Sequence, residues 1–250
     1  MSNAMRHSIF TAALAVTLLF GGHADAAKGP GGAWTEWKAG NDISNIASLQ
    51  RGAANFMGYC AGCHSIEYMR YSRLGQDLKI PEDQLEQLVI LPGSKKGDYI
   101  TTPLSAEDGA AWFGKAPPDL SLITRSKGSD YVYQFLKTFY IDPKSTNGSN
   151  NLALAGTSMP HVLSPLQGLQ EATFTTGESP KWESFTLVEP GQLSAEEYDA
   201  FVRDTVNFLE YVGEPVKAKR QALGVWVILF LLVFTTFSYL LKREYWKDVK

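Results

Sequence analysis

Two cysteines stand three positions apart, and a histidine follows the second directly, in the order Cys60-Ala61-Gly62-Cys63-His64. Thiols at that spacing lie on adjacent turns and face one edge, so both can add across the two vinyl groups of a single porphyrin. The adjoining imidazole is then delivered beneath the iron. This is the attachment pattern of c-type haem, and it predicts one covalently attached haem c with His64 as the proximal ligand. Two other readings use the same residues, a zinc half-site and a redox dithiol. Zinc needs two further ligands, and beyond the first 26 residues His161 is the only other histidine.

Electron-transfer haems with both axial positions filled commonly pair His with Met. Met1 and Met5 fall in the N-terminal leader. Met57 and Met69 lie within seven residues of His64, and so short a tether holds them on its side of the ring. Met159 remains, 95 residues downstream and followed by Pro160, whose ring fixes the local backbone. His161 is the alternative sixth ligand.

Helices must bring these residues together. Ile46, Leu49, Ala53 and Phe56 recur at helical spacing ahead of the cysteines, predicting a helix from about Ser44 to Tyr59 capped by Asp42 or Ser44. Pro81 opens another that carries Leu85, Leu88 and Val89. A short one follows Ser105, with Asp108 as its capping partner. A helix starting at Ser129 or Asp130 presents Val132, Phe135, Leu136 and Phe139. The best-marked helix opens on the capping box of Ser194 and Glu197. It runs through Tyr198, Phe201, Val202, Thr205, Leu209 and Val212 to Gly213 and Pro215. Residues 142–158 and 164–191 are rich in turn formers and read as long loops, which compact domains keep when they enclose something. The fold class expected is mostly α.

Arg6 and His7, an apolar run from Ile9 to Phe20 and the small residues Ala24-Asp25-Ala26 form a secretory leader, with cleavage after Ala26. An uncleaved anchor is the alternative, but the run is short for a membrane span. Leu223 to Leu241 is a different case. These 19 residues carry no charge, and at about 1.5 Å each they cover roughly 28 Å, close to a bilayer core. Export carries the main domain across the membrane and leaves the tail behind. The expected order is therefore leader 1–26, haem domain 27–216, basic linker 217–222, transmembrane helix 223–241 and cytoplasmic tail 242–250. The protein crosses a bacterial inner membrane once, with its haem domain on the periplasmic side.

Charge is uneven along this plan. Residues 27–216 hold 15 Lys and Arg against 23 Asp and Glu. That balance argues against nucleic acid and for a cationic protein as partner.

Beyond the motif, the chain resembles the cytochrome c1 family, the haem subunits of cytochrome bc1 complexes. The resemblance rests on CHSIEYMRYSRL after the first cysteines, APPDLSLITR at 116–125, DYVYQFLKTFYIDP from Asp130, GTSMPHVL around Met159 and the terminal EYWKDV. It implies a cytochrome c-like haem domain with enlarged loops and one C-terminal transmembrane helix. By that analogy Met159 is the axial methionine, Arg125 and Tyr131 contact a haem propionate, and Pro117 and Pro118 pack against the haem. The extra disulfide of some members has no cysteines here. The implied function is to take an electron from the Rieske iron–sulfur protein and pass it to a soluble basic cytochrome c. Cytochrome b is the membrane partner, and quinol oxidation occurs outside this chain. Another membrane-tethered carrier, such as the haem subunit of a terminal oxidase, is the rival reading.

Overall fold

Asn45 caps the first long helix, its side-chain oxygen accepting from the Ser48 amide at 3.1 Å. Asp42 is engaged one turn earlier, where it accepts from the Ser44 amide at 2.9 Å. The helix therefore starts two residues later than its apolar spacing predicts. The computed structural model describes residues 31–177 and 179–248; the expected leader lies outside the described residues.

The chain runs α1 (Ile46–Tyr59), β1 (Ile66–Arg70), α2 (Tyr71–Asp77), α3 (Glu82–Gln84), a π-turn (Leu85–Val89), β2 (Tyr99–Ile100) and α4 (Ala106–Phe113). It continues through α5 (Ile123–Lys127), α6 (Ser129–Lys137), β3 (Phe139–Ile141), β4 (Ser149–Asn151), α7 (Ser164–Gln167), β5 (Gly168–Phe174) and β6 (Trp182–Pro190). The last two elements are α8 (Ala195–Gly213) and α9 (Lys217–Tyr245).

The domain is organised on the crossing of α1 with α8. Their inward faces meet at Phe56 and Phe208, whose ring centroids are 5.8 Å apart. Leu49, Ala53, Val202, Val206 and Leu209 are buried around that pair. Each large apolar side chain buried in this way stabilises by about 1.5–3 kcal/mol. An exposed ion pair such as Lys38–Asp130 contributes about 0–1 kcal/mol. Apolar packing between helices therefore decides the fold. The capping box predicted for α8 is present, with Glu197 N donating to Ser194 Oγ at 3.2 Å and Ser194 N to Glu197 Oε2 at 2.9 Å.

The mostly helical class holds, but the two long loops are corrected. Phe139 ends no helix: it opens β3, which pairs antiparallel with β4 in the register Phe139–Asn151, Tyr140–Asn150 and Ile141–Ser149. Residues 168–190 form a longer hairpin of β5 with β6. Together with β1–β2, these make three separate two-stranded sheets.

Before α1 the chain is strapped onto the helices. Gln134 Nε2 donates to the carbonyls of Thr35 and Trp37 at 2.9 Å each. Asp130 accepts from the Ala39 amide, and Arg203 donates to the Lys38 carbonyl. Arg203 also pairs with Asp199 at 2.6 Å, which Tyr133 and Lys137 approach as well. Burial alone would raise the Asp199 pKa, but hydrogen bonds from Lys137, Tyr133 and Arg203 hold it down at about 2.

At the other end α9 is one helix of 29 residues, none of them buried, and it is long and apolar enough to cross a membrane. The residues read as a basic linker form its first turns.

Candidate functional site

The Cys60–His64 segment leaves α1 as a tight turn. Cys60 and Ala61 amides both donate to the Phe56 carbonyl, at 2.8 and 2.9 Å. Cys63 and His64 amides donate to Cys60 O, at 3.0 and 2.8 Å. The turn keeps both thiols and the imidazole on a few ångströms of backbone at the end of a helix anchored in the core. Both cysteines are free and half-buried. Burial, assisted by Cys63, pushes the Cys60 thiol up to about 12. A dithiol that exchanges disulfides needs a thiolate, so this environment disfavours the redox reading. Among the described residues no group of three or more His, Cys, Asp or Glu could hold a metal ion, which disfavours the zinc reading.

His64 has the environment of a metal-bound imidazole. Its Nδ1 lies 2.8 Å from the Pro118 carbonyl. A carbonyl only accepts, so Nδ1 carries the proton and Nε2 keeps its lone pair. Burial lowers the His64 pKa, with the Pro118 bond and Asp119 opposing. A basic Nε2 with its partner nitrogen fixed by a carbonyl is what an axial ligand requires.

The segment that supplies Pro118 is clamped beside the turn at three points. Leu120 N donates to Ser65 O at 2.8 Å. Asp119 accepts from the Glu67 amide at 2.8 Å, and Ser121 Oγ accepts from Tyr68 N at 3.1 Å. Within the segment Asp119 also accepts from the Ser121 amide at 2.8 Å. Pro117 rests on α4 at Gly109, where a Cβ would stand 2.7 Å from the proline Cδ. Pro118 is thereby brought against His64. Asp119, Ser65 and Ser121 were invisible in the sequence, since their bonds span about fifty positions.

Met159 is half-buried and packs against the main core. Its loop is shaped by two asparagines at the end of β4. Asn151 is fully buried, donates to Phe135 O at 2.7 Å and accepts from the Ala153 amide at 2.8 Å. Asn150 accepts from Gly156 N at 2.8 Å. His161, the other candidate ligand, lies flat on Phe139, with centroids 4.9 Å apart and planes 2° from parallel. Neither of its ring nitrogens has a well-formed hydrogen bond. Burial lowers its pKa to about 4, although the Gly168 backbone and Gln167 side chain lie near enough to oppose this.

Arg125 on α5 and Tyr131 on α6 flank Gly128, whose φ of 90° bends one helix into the next. Arg125 is exposed. Tyr131 is half-buried and stacked on Phe135 at 6.4 Å, and burial raises the pKa of its hydroxyl. Among the described residues neither side chain forms a hydrogen bond or ion pair with another. A guanidinium without a hydrogen bond or ion pair and a phenolic hydroxyl without a hydrogen bond, among the described residues, are groups that suit an anion such as a propionate.

Comparison with known proteins identifies the family. The model of the Cytochrome C1 family matches residues 92–249, a stretch that begins after the cysteines and so does not depend on them. Cytochrome c1 of Allochromatium vinosum is 49% identical over 212 residues, covering 83% of this chain and 87% of its own. A protein of Nitrosomonas europaea named ammonia monooxygenase gamma subunit is 42% identical over 212 residues, covering 85% and 88%. Among solved structures, a chain of a hyperthermophilic respiratory Complex III aligns over the full length of both chains at 19% identity, with a TM-score of 0.47. By the family match and the identity to the Allochromatium protein, this chain belongs to the cytochrome c1 family.

Proposed function

We propose that this chain is the membrane-anchored electron-transfer subunit of a quinol–cytochrome c reductase. It takes electrons from a Rieske iron–sulfur protein and passes them to a soluble basic cytochrome c. The observation that carries the reading is the His64 imidazole, held through Nδ1 by Pro118, directly after two free half-buried thiols.

When bound, the haem supplies a one-electron couple; the chain's own residues supply everything else. Cys60 and Cys63 would attach it, and His64 and Met159 would both ligate it, which would leave no position for a substrate. Arg125 and Tyr131 hold a propionate, and Pro117 and Pro118 shield the ring. The Phe139 stack favours Met159 over His161 as the sixth ligand, because an imidazole packed flat on a phenyl ring is committed to the core. With no open coordination position, the tasks left are setting potential and positioning partners. We assign 1–26 to a leader and the apolar part of α9 to a single span. The haem domain then faces the periplasm of a bacterial cell, with cytochrome b as the membrane neighbour.

Two measurements test this together. The chain purified from membranes by an affinity tag is expected to keep its haem through denaturing electrophoresis, and Cys63→Ala is expected to lose that retention. Cytochrome b and a Rieske protein are expected to travel with it. Haem retention with terminal oxidase subunits in place of those two would select the rival carrier.

Residues 171–214 carry ten acidic side chains against Lys181 and Arg203. Asp199, Asp204, Glu210 and Glu214 are engaged in ion pairs, and Glu197 closes the cap of α8. Among the described residues, Glu171, Glu183 and Glu189 on the β5–β6 hairpin and Glu196 at the start of α8 have no such partner. We therefore expect Glu183→Lys with Glu189→Lys to slow oxidation by a basic cytochrome c roughly severalfold at low salt, with the difference fading as salt rises. Stopped-flow rates that ignore both changes would remove this hairpin from the docking surface.

A further inference from the structure

The end of α8 passes directly over α5. A Cβ placed on Gly213 would stand 3.3 Å from Arg125 Cγ and 2.9 Å from Thr124 Oγ1. Only a glycine allows the Arg125 stem to lie there, and the next residue along α8 is a carboxylate, Glu214. The two charges are near enough that Arg125 helps to hold the Glu214 carboxyl below its usual range, although the Arg220 hydrogen bond is the larger cause. A free guanidinium beside a free carboxylate would pair.

Here they do not, because Glu214 is taken. Arg220, in the first turns of α9, donates from Nε to Oε1 at 2.6 Å and from Nη2 to Oε2 at 3.1 Å. That two-pronged geometry engages both oxygens with the donor fork that suits a carboxylate best. Of the other two cations in those turns, Lys217 is committed to Glu210 and Lys219 is exposed. Arg125 is thus left over, with no ion pair of its own among the described residues.

We propose that Arg220 is a positioning residue for the haem: by occupying Glu214 it keeps Arg125 free to face a propionate, so that the membrane helix sets the charge beside the ring. The inference rests on the reading of Arg125 as a propionate partner. Without Arg220, the nearest unengaged cation to Glu214 is Arg125. A guanidinium drawn away to Glu214 leaves the propionate uncompensated. Uncompensated negative charge favours the oxidised, more positive centre, and the midpoint potential falls.

The test is a redox titration of haem absorbance in the full-length, membrane-bound protein. Arg125→Gln is expected to lower the midpoint, and Arg220→Gln to lower it in the same direction. Adding Glu214→Gln to Arg220→Gln is expected to restore it, since no carboxylate is then left to capture Arg125. Arg220→Lys is expected to stay nearer the wild type. Lys219→Gln removes an exposed cation one residue away and measures the effect of bulk charge alone. A shift in Arg220→Gln no larger than in Lys219→Gln, or one that Glu214→Gln fails to reverse, would overturn the proposal even with Arg125→Gln shifted. An unmoved midpoint in Arg125→Gln would instead remove the underlying reading of Arg125, and the proposal with it.

Discussion

Met159→Leu is expected to keep its covalent haem, change little in stability, and fall sharply in reduction potential. The side chain is half-buried at the edge of the main core, and leucine has nearly the same volume, so packing changes by less than about 1.5 kcal/mol. The thioether is what disappears. Methionine ligation raises the potential of a His-bound haem, and axial ligands span roughly 0.8 V across haem proteins. A drop on the order of 0.1–0.3 V is a moderate share of that range. The vacated position is also expected to admit carbon monoxide in the reduced state, which the wild type excludes. His161→Phe is the companion variant. Its ring already lies flat on Phe139, so a phenyl in its place is expected to leave the potential near that of the wild type. A Met159→Leu protein with an unchanged potential, beside a His161→Phe protein with an altered one, would exchange the two assignments.

How well the sequence announced each feature depends on the reach of the interaction involved. The capping box of α8 and the Ser105 cap of α4 were legible because donor and acceptor lie three residues apart. The cap of α1 shows how narrow that legibility is. Asp42, Ser44 and Asn45 are all competent caps, and only the folded turn selects Asn45 by engaging Asp42 with Ser44. The β5–β6 hairpin is a longer-range case. Its second strand is exposed along most of its length, so no apolar alternation marks it, although Phe185, Thr186, Leu187 and Val188 are strong strand formers between two prolines. In the β3–β4 pair, β4 is built from Ser149, Asn150 and Asn151, whose composition reads as loop.

The site divides along the same line. The cysteines and His64 are contiguous and declare their chemistry. Arg125, Tyr131, Pro117 and Pro118 carry no local signal and were found only through family resemblance. The Asp119 clamp escaped both routes, because its value lies in amides far away in the chain. The engagement of carboxylates along 171–214 is hidden from the sequence for a related reason: partners such as Arg51 and Lys137 lie 153 and 62 residues away from their carboxylates.

Gly52 is where the largest loss of stability is expected. A Cβ there would stand 2.0 Å from the Asp204 carbonyl oxygen and 2.6 Å from Phe208 Cβ. Backbone cannot swing aside as a flexible side chain does, so α1 and α8 would have to separate. Separation would loosen the Phe56–Phe208 contact. It would also stretch the bonds from Asn55 Nδ2 to Phe201 O and Thr205 Oγ1, each 3.1 Å. Overpacking in a tight core costs about 1–3 kcal/mol, and more where the backbone must move. Gly52→Ala is expected in that range. Gly52→Val, with two further methyl groups and a poorer helix propensity, should exceed it and approach the total stability of a domain, about 5–15 kcal/mol. The damage should reach the haem as well, because Cys60 is the residue that ends α1, and a displaced α1 carries both thiols with it. Gly58→Ala on the same helix is the control. Nothing lies within 4 Å of its added methyl, and replacing a helical glycine should leave stability unchanged or raise it by about 0.5–1 kcal/mol. Urea midpoints and the fraction of chain carrying covalent haem are the measurements. A Gly52→Ala protein as resistant to urea as Gly58→Ala would mean that the two helices do not cross at this residue.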